Sequence, residues 1–174
     1  LGADFVAMPG HKGLYGPQGT GILLCASAGK PLLCGGTGSN SKEQSMPDFL
    51  PDRMEAGTHN MPGVAGLLEG IRFVRRVGVE AIGHHGWQLK EQLRRGLAGD
   101  RRFRVFGTEE PHLQAGVLSL VPTETDSETF CQAMAEAGFA LRGGFHCAPY
   151  AHQTAGTFAG GTVRFSVSAF NTGG

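Results

Sequence analysis

Apolar residues recur along this chain with two periods, and the switch between them orders it into elements. Phe5 to Met8 and Thr20 to Cys25 are short, nearly continuous apolar runs. Such runs predict neighbouring strands covered on both faces, because a strand with one wet face alternates instead. The first run reaches back to Leu1, so Leu1 to Met8 is expected to be a buried strand entered in mid-course. From Pro62 the period lengthens. Val64, Leu67, Leu68, Ile71 and Val74 recur at helical spacing, proline is tolerated in a first turn, and Gly78 stops the pattern. A second helix is predicted over Val79 to Ala98, with Ile82, Trp87, Leu89, Leu93 and Leu97 on its apolar side. Lys90, Glu91, Arg94 and Arg95 fall on its polar side.

Beyond it, Phe103 to Phe106 and Gly116 to Val121 read as strands. Thr125-Asp-Ser-Glu128 has capping-box spacing and predicts a helix N-cap at Thr125, running past Phe130, Met134 and Ala137 to a stop at Gly138. Phe139 to Leu141 is expected to begin another strand, and Thr162 to Val167 alternates as a further one. Residues 63–174 therefore read as an α+β two-layer unit, helices over a small, mostly antiparallel sheet.

Composition narrows the function class. The 174 residues are 40% hydrophobic, 17% charged and formally neutral, enough apolar matter for a core and no electrostatic footprint for nucleic acid or an anionic membrane. No run of 18 apolar residues is present, so no membrane span is expected. The chain opens Leu1-Gly-Ala-Asp without a charged leader, so no signal peptide is expected either, and a cytoplasmic protein with reduced thiols is the default. Cys25, Cys34, Cys131 and Cys147 lie in unlike contexts without a CxxC pair, which argues against a disulfide framework or a structural zinc site. His84 and His85 are adjacent on the second helix and do not share the face a two-histidine metal site needs.

Three stretches carry candidate chemistry. In the first, Lys12 follows His11 among glycines at 10, 13, 16, 19 and 21. Lysine is a nucleophile only as the neutral amine, which a crowded, partly desolvated site favours. Lys12 is thus a candidate Schiff-base lysine, or a surface lysine of a glycine-rich hairpin. In the second, Gly35, Gly36 and Gly38 with Thr37, Ser39 and Ser41 offer N–H groups and hydroxyls that could wrap an anion, outside P-loop spacing. In the third, Cys147 stands beside His146 and near Arg142, where positive charge or a general base raises the thiolate fraction; the alternative is an inert, buried cysteine.

Residues 10–21, GHKGLYGPQGTG, resemble the cofactor-lysine segment of the class V aminotransferases, the fold-type I pyridoxal phosphate (PLP) family that includes cysteine desulfurases. Glu55, Gly57, Thr58 and Asn60 are similar to that family's Glu-x-Gly-Thr-x-Asn segment, for which structural or site-bordering roles are expected. Residues 142–149, RGGFHCAP, resemble the Arg-x-Gly-x-His-Cys-Ala motif of the SufS-like desulfurase branch, and residues 160–172 its Val-Arg-x-Ser…Asn-Thr segment. The resemblance implies that Lys12 bonds PLP, that His11 borders the cofactor, and that Gly36 and Thr37 reach the PLP phosphate of the other subunit of a homodimer. It implies that Arg164 binds the substrate carboxylate, that Arg142 is an active-site arginine, and that Cys147 carries sulfur from L-cysteine as a persulfide, leaving alanine. Where relatives often have Ser or Thr two residues before the histidine, this chain has Pro9, with neither hydroxyl nor N–H.

The fold expected on that resemblance is α/β. Residues 1–62 would form the C-terminal part of the large PLP domain and 63–174 the small domain without its final helix. The ring-stacking residue and the pyridine-nitrogen partner would lie upstream, so the chain is expected to be a fragment, inactive alone, of an enzyme that passes sulfur to an acceptor protein. Two alternatives stay open: an aminotransferase or lyase in which Cys147 is incidental, and a non-catalytic α+β interaction domain.

Overall fold

The computed structural model describes residues 2–173, apart from the side chain of residue 112. Leu1, where the first strand was expected to begin, and Gly174 lie outside the described residues. The chain divides into two compact units, Leu1–Val77 and Gly78–Gly174. That division falls after the first long helix, whereas the sequence places a domain boundary before it.

In the first unit, β1 (Phe5–Pro9) and β2 (Gly21–Cys25) form an antiparallel hairpin, with Phe5 opposite Cys25 and Pro9 opposite Gly21. Helix α1 (Met61–Val77) packs against the loop that joins them. Its start is set by Asn60, whose Oδ1 accepts the Gly63 N–H at 3.1 Å while its carbonyl accepts that of Val64 at 2.9 Å. Gly63, Gly66 and Gly70 are spaced to share one face of α1, and that face meets the loop. A Cβ on Gly66 would lie 2.7 Å from Pro17 Cγ, and one on Gly70 would lie 2.8 Å from the Tyr15 carbonyl carbon. Glycine is required there because the helix backbone approaches the Pro17 ring at Gly66 and the loop backbone at Gly70 too closely for any side chain.

The expectation that β1 and β2 are covered on both faces is not met. Phe5, Leu23 and Leu24 are exposed on the two-stranded sheet. The connection from β2 to α1 is irregular apart from a short 3-10 turn, Asp52–Met54. Arg53 holds it together, donating from Nε to the Gly29 carbonyl at 2.9 Å and from Nη1 to Asp48 at 2.6 Å.

In the second unit, β3 (Phe103–Phe106), β4 (Val117–Pro122) and β5 (Val163–Ser166) form an antiparallel sheet in that order. Helices α2 (Val79–Gly96) and α3 (Ser127–Glu136) pack on it, the arrangement of helices over a small antiparallel sheet that the sequence predicts. The alternation of β4 puts Leu118 and Leu120 into the core beside Val163 of β5, all three essentially without exposure.

Three expectations change here. Helix α3 is capped by Asp126, not Thr125: its carboxylate accepts from the N–H groups of Glu128 and Thr129 and from the Thr129 hydroxyl. A carboxylate one residue later spans the same orphan donors and also meets the positive end of the helix dipole. Phe139 to Leu141 is not a strand. The Phe139 N–H is held by the Met134 carbonyl in the turn that ends α3, and only Arg142 pairs with the sheet, as a single bridge to Arg164. Lys90 and Glu91, assigned to the wet side of α2, are buried. Lys90 Nζ donates to the Thr108 carbonyl at 3.0 Å and Gln114 Oε1 at 3.4 Å, and Glu91 accepts from Arg94 and Arg95. Buried charges survive when every donor has a partner. The Arg94 guanidinium, with Arg95 adding, holds the Glu91 carboxyl down to about 2 against the burial that pushes it up.

A short helix the sequence did not announce, α4 (Pro149–Thr154), follows Cys147. The final segment is tied to α2 by His85 Nε2 at 2.9 Å from the Asn171 carbonyl and by Gln92, which donates to the Gly173 carbonyl.

Candidate functional site

The lysine turn is a closed loop between β1 and β2. The Gly10 N–H donates to the Thr20 carbonyl and the Gly16 N–H to the Gly10 carbonyl, both at 2.8 Å, which pinches residues 10–16 into a tight excursion. Tyr15 completes it with φ of 54°, its N–H bonded to the Lys12 carbonyl and its ring edge-on to Phe73 of α1 at 5.2 Å. Lys12 and His11 stand exposed on this loop. The crowded, desolvated surroundings expected of the lysine are not formed around it among the described residues. What the turn supplies is a fixed backbone that displays a primary amine.

The glycine-rich loop is in the same unit. Gly36 accepts the Gly57 N–H at 2.8 Å, and the Thr37 and Ser39 hydroxyls lie 2.8 Å apart on the exposed face. These groups are the chemistry a phosphate takes: hydroxyls and peptide N–H on a loop with glycine at φ of 83° (Gly38). Together with an exposed amine they fit the aldehyde and phosphate ends of PLP by type of donor. Glu55 makes a 3.4 Å contact with His59 Nδ1, and Asn60 is the α1 cap described above, so both serve local structure.

The second unit gathers the remaining candidates at the mouth of β5. Arg142 and Arg164 exchange both backbone hydrogen bonds, at 3.4 and 2.8 Å. Directly opposite residues of an antiparallel pair project from the same face, so both arginine side chains leave the same side of the sheet. Arg164 is half-buried and its Nε is enclosed without a hydrogen-bond partner among the described residues. Guanidinium donors of this kind are the chemistry that an anion such as a carboxylate takes.

Cys147 lies in the loop that leaves Arg142. It is exposed, and both it and His146 have positive φ, 62° and 51°. Two consecutive non-glycine residues in the left-handed region cost about 1–3 kcal/mol each and persist only where their surroundings impose them. The imposing contacts are the Gly144–Thr162 pair, bonded both ways at 3.1 Å, and His146 Nε2, which lies 3.0 Å from the Thr162 carbonyl. Burial pushes the His146 imidazole below its ordinary pKa, with Arg164, His152 and Arg142 adding to the shift and the Thr162 carbonyl opposing it. His146 Nε2 meets Thr162 and its Nδ1 has no hydrogen-bond partner among the described residues, so the ring does not make the thiol–base pairing that the sequence order invites. By contrast, Cys131 on α3 is half-buried and its thiol is pushed up by desolvation, the pattern of an inert cysteine.

A family model described as Aminotransferase class-V matches residues 1–173. The chain belongs to that family. Among curated relatives of this class-V chain, a "Probable cysteine desulfurase" of Methanothermobacter thermautotrophicus is 36% identical over 99% of the chain and 44% of its own length. One of the same description from Mycolicibacterium paratuberculosis is 36% identical over 99% of the chain and 25% of its own length. Among solved structures, the apo cysteine desulfurase from Thermococcus onnurineus NA1 superposes with a TM-score of 0.84 at 30% identity, covering 98% of this chain and 43% of that one. The Escherichia coli cysteine desulfurase CsdA, in its S-sulfonic acid form, gives 0.84 at 29% identity, covering 98% of this chain and 42% of that one. The chain thus spans less than half the length of the relatives it matches. The PLP fold-type I assignment expected from the sequence agrees with these neighbours.

Of the residues singled out from sequence, Lys12, His11, Gly36 and Thr37 fall in the first unit of this class-V chain, and Arg142, Cys147 and Arg164 in the second. The structure brings Arg142 and Arg164 together and sets Cys147 on the loop that Arg142 begins. Thr162 and His152 were not foreseen. Thr162 carries no sequence signal beyond opening the strand predicted over Thr162 to Val167. His152 could have been noticed only as a histidine in a short, proline-started helical stretch. Among the described residues no cluster of His, Cys, Asp or Glu could hold a metal ion, and no helix is long and apolar enough to cross a membrane.

Proposed function

We propose that this chain supplies the reactive amine and the reactive thiol of a PLP-dependent cysteine desulfurase. The observation that carries the reading is Cys147, displayed on a strained turn one short loop from the paired Arg142 and Arg164. The printed names of the relatives support the same reaction class. PLP, when bound, is the electron sink of the reaction.

Lys12 would hold the cofactor through its amine and, as the free amine, would move protons at its Nζ. His11 borders the cofactor. Gly36 and Thr37 offer N–H and hydroxyl donors to the phosphate of the second subunit of a homodimer. Arg164, with Arg142 beside it, takes the carboxylate of L-cysteine in a two-donor fork. The Cys147 thiolate attacks the substrate sulfur. A sulfur–sulfur bond would form as the substrate carbon–sulfur bond breaks with its electron pair kept on carbon, and a proton delivered to that carbon would complete alanine. The persulfide on exposed Cys147 is then open to a sulfur acceptor protein. In this reading the enzyme works in the cytoplasm, and the 174 residues, which span less than half of the relatives' length, are inactive alone.

The test is sulfide release from L-cysteine by the full-length protein with PLP and a thiol reductant. Lys12→Ala and Cys147→Ser should each abolish it. Undiminished release by Cys147→Ser would overturn the persulfide step and leave an aminotransferase or lyase. Undiminished release by Lys12→Ala would overturn the cofactor assignment, and with it the enzyme reading in favour of an interaction domain.

A further inference from the structure

We propose that His146 is a positioning residue, clamping the Cys147 turn onto Thr162 through its Nε2–H rather than exchanging protons with the thiol. The proposal rests on the desulfurase reading above and adds a role within that site.

A carbonyl oxygen only accepts, so the nitrogen 3.0 Å from the Thr162 carbonyl must carry the proton. The Thr162 hydroxyl lies against the same nitrogen at 3.2 Å. In the neutral ring the lone pair is then on Nδ1, which is buried and has no hydrogen-bond partner among the described residues, the Cys147 thiol included. One nitrogen is committed and the other enclosed, so neither is offered to the thiol. Protonating Nδ1 would place a new N–H where nothing accepts it. The charged and titratable groups around the ring are Arg164, Arg142 and His152, all cationic or able to become so, with no carboxylate among them. Each disfavours an imidazolium.

The ring is backed by a second layer. His152 of α4 is buried, its ring centroid 5.9 Å from that of His146 and edge-on to Phe145 at 5.3 Å. Its Nδ1 meets the Thr157 hydroxyl at 2.8 Å. His146 is thus held from below by His152 and from the side by Thr162, and it in turn holds two left-handed residues that would otherwise relax. Without the clamp the thiol leaves its line of attack while the arginine pair that grips substrate stays in place.

The experiment compares full-length wild type, His146→Phe and His146→Gln, measuring kcat and KM for sulfide release and the pH profile of Cys147 alkylation by iodoacetamide, with Cys25, Cys34 and Cys131 replaced by serine. Loss of the donor in His146→Phe should lower kcat roughly tenfold to a hundredfold with KM little changed, while the amide N–H of His146→Gln keeps kcat within about threefold. The alkylation midpoint should be the same in all three proteins. Equal loss in both variants, or an alkylation midpoint that moves in both, would make His146 a proton-transfer group and overturn the proposal. If His146→Phe does not fold, His146→Gln decides alone: a tenfold loss there refutes the clamp. Failure of the desulfurase reading is separate, since it would show as absent sulfide release in wild type, while the alkylation profile needs no cofactor.

Discussion

Replacing Gly70 by alanine tests how the lysine turn is held. A Cβ at that position would stand 2.8 Å from the Tyr15 carbonyl carbon and 2.9 Å from the Gly16 nitrogen. Both are backbone atoms of the loop that bears Lys12, so no side-chain rotation relieves the overlap. Such overpacking costs about 1–3 kcal/mol. Alanine returns about 1 kcal/mol in helix propensity, so global stability falls by only ~0–2 kcal/mol. The loop feels the whole clash. Amide exchange at Tyr15 and Gly16, whose N–H groups bond the Lys12 and Gly10 carbonyls at 3.0 and 2.8 Å, is the direct readout. Their protection should drop by about 5- to 150-fold, the equivalent of 1–3 kcal/mol. Unchanged exchange at both amides, with α1 intact by circular dichroism, would refute the claim that this helix face buttresses the turn.

Other outcomes follow from the same coordinates. Gly83→Ala, in an exposed stretch of α2 where a Cβ meets nothing within 4 Å, should stabilise the protein by about 0.5–1 kcal/mol in urea unfolding, and destabilisation would contradict the open environment. Asp126→Ala should lower the melting temperature by a few degrees while Thr125→Ala leaves it unmoved; the reverse order would restore the threonine cap. The Asp126 carboxyl is held below its usual range, first by the Thr129 N–H, so its contribution is present above the ordinary carboxylate pKa and fades as pH falls through the folded-state value. His146 works in a higher window. Its folded pKa lies below the ordinary 6.5, so below that pH the unfolded chain binds a proton that the folded one refuses, and stability falls as the solution is acidified. His146→Gln should flatten that slope, measured as unfolding midpoints between pH 5 and 7; an unaltered slope would remove His146 as its source.

The sequence made the helices and the sheet of the second unit legible because their patterns are long and local. The apolar spacing of α1 and α2 and the alternation of β4 needed no tertiary information. What failed depended on partners distant in sequence. Lys90 looks wet on a helical wheel, yet Thr108 and Gln114 come from the β3–β4 connection to receive its ammonium. The strand expected at Phe139 lost to the turn that ends α3, where Met134 captures its N–H. At the site, residue types with chemistry stood out one by one: a lysine among glycines, a cysteine after a histidine. Their geometry did not, because the side of His146 that is occupied depends on Thr162, sixteen residues further along.

Mass spectrometry of Cys147 tests the central claim most directly. Full-length protein loaded with PLP is given L-cysteine, alkylated and digested, and the peptide containing Cys147 is weighed beside that of Lys12→Ala. One additional sulfur atom on Cys147 in the wild type and none in the lysine variant is the predicted result. A Cys147 peptide that gains no sulfur while sulfide is nonetheless released would contradict it.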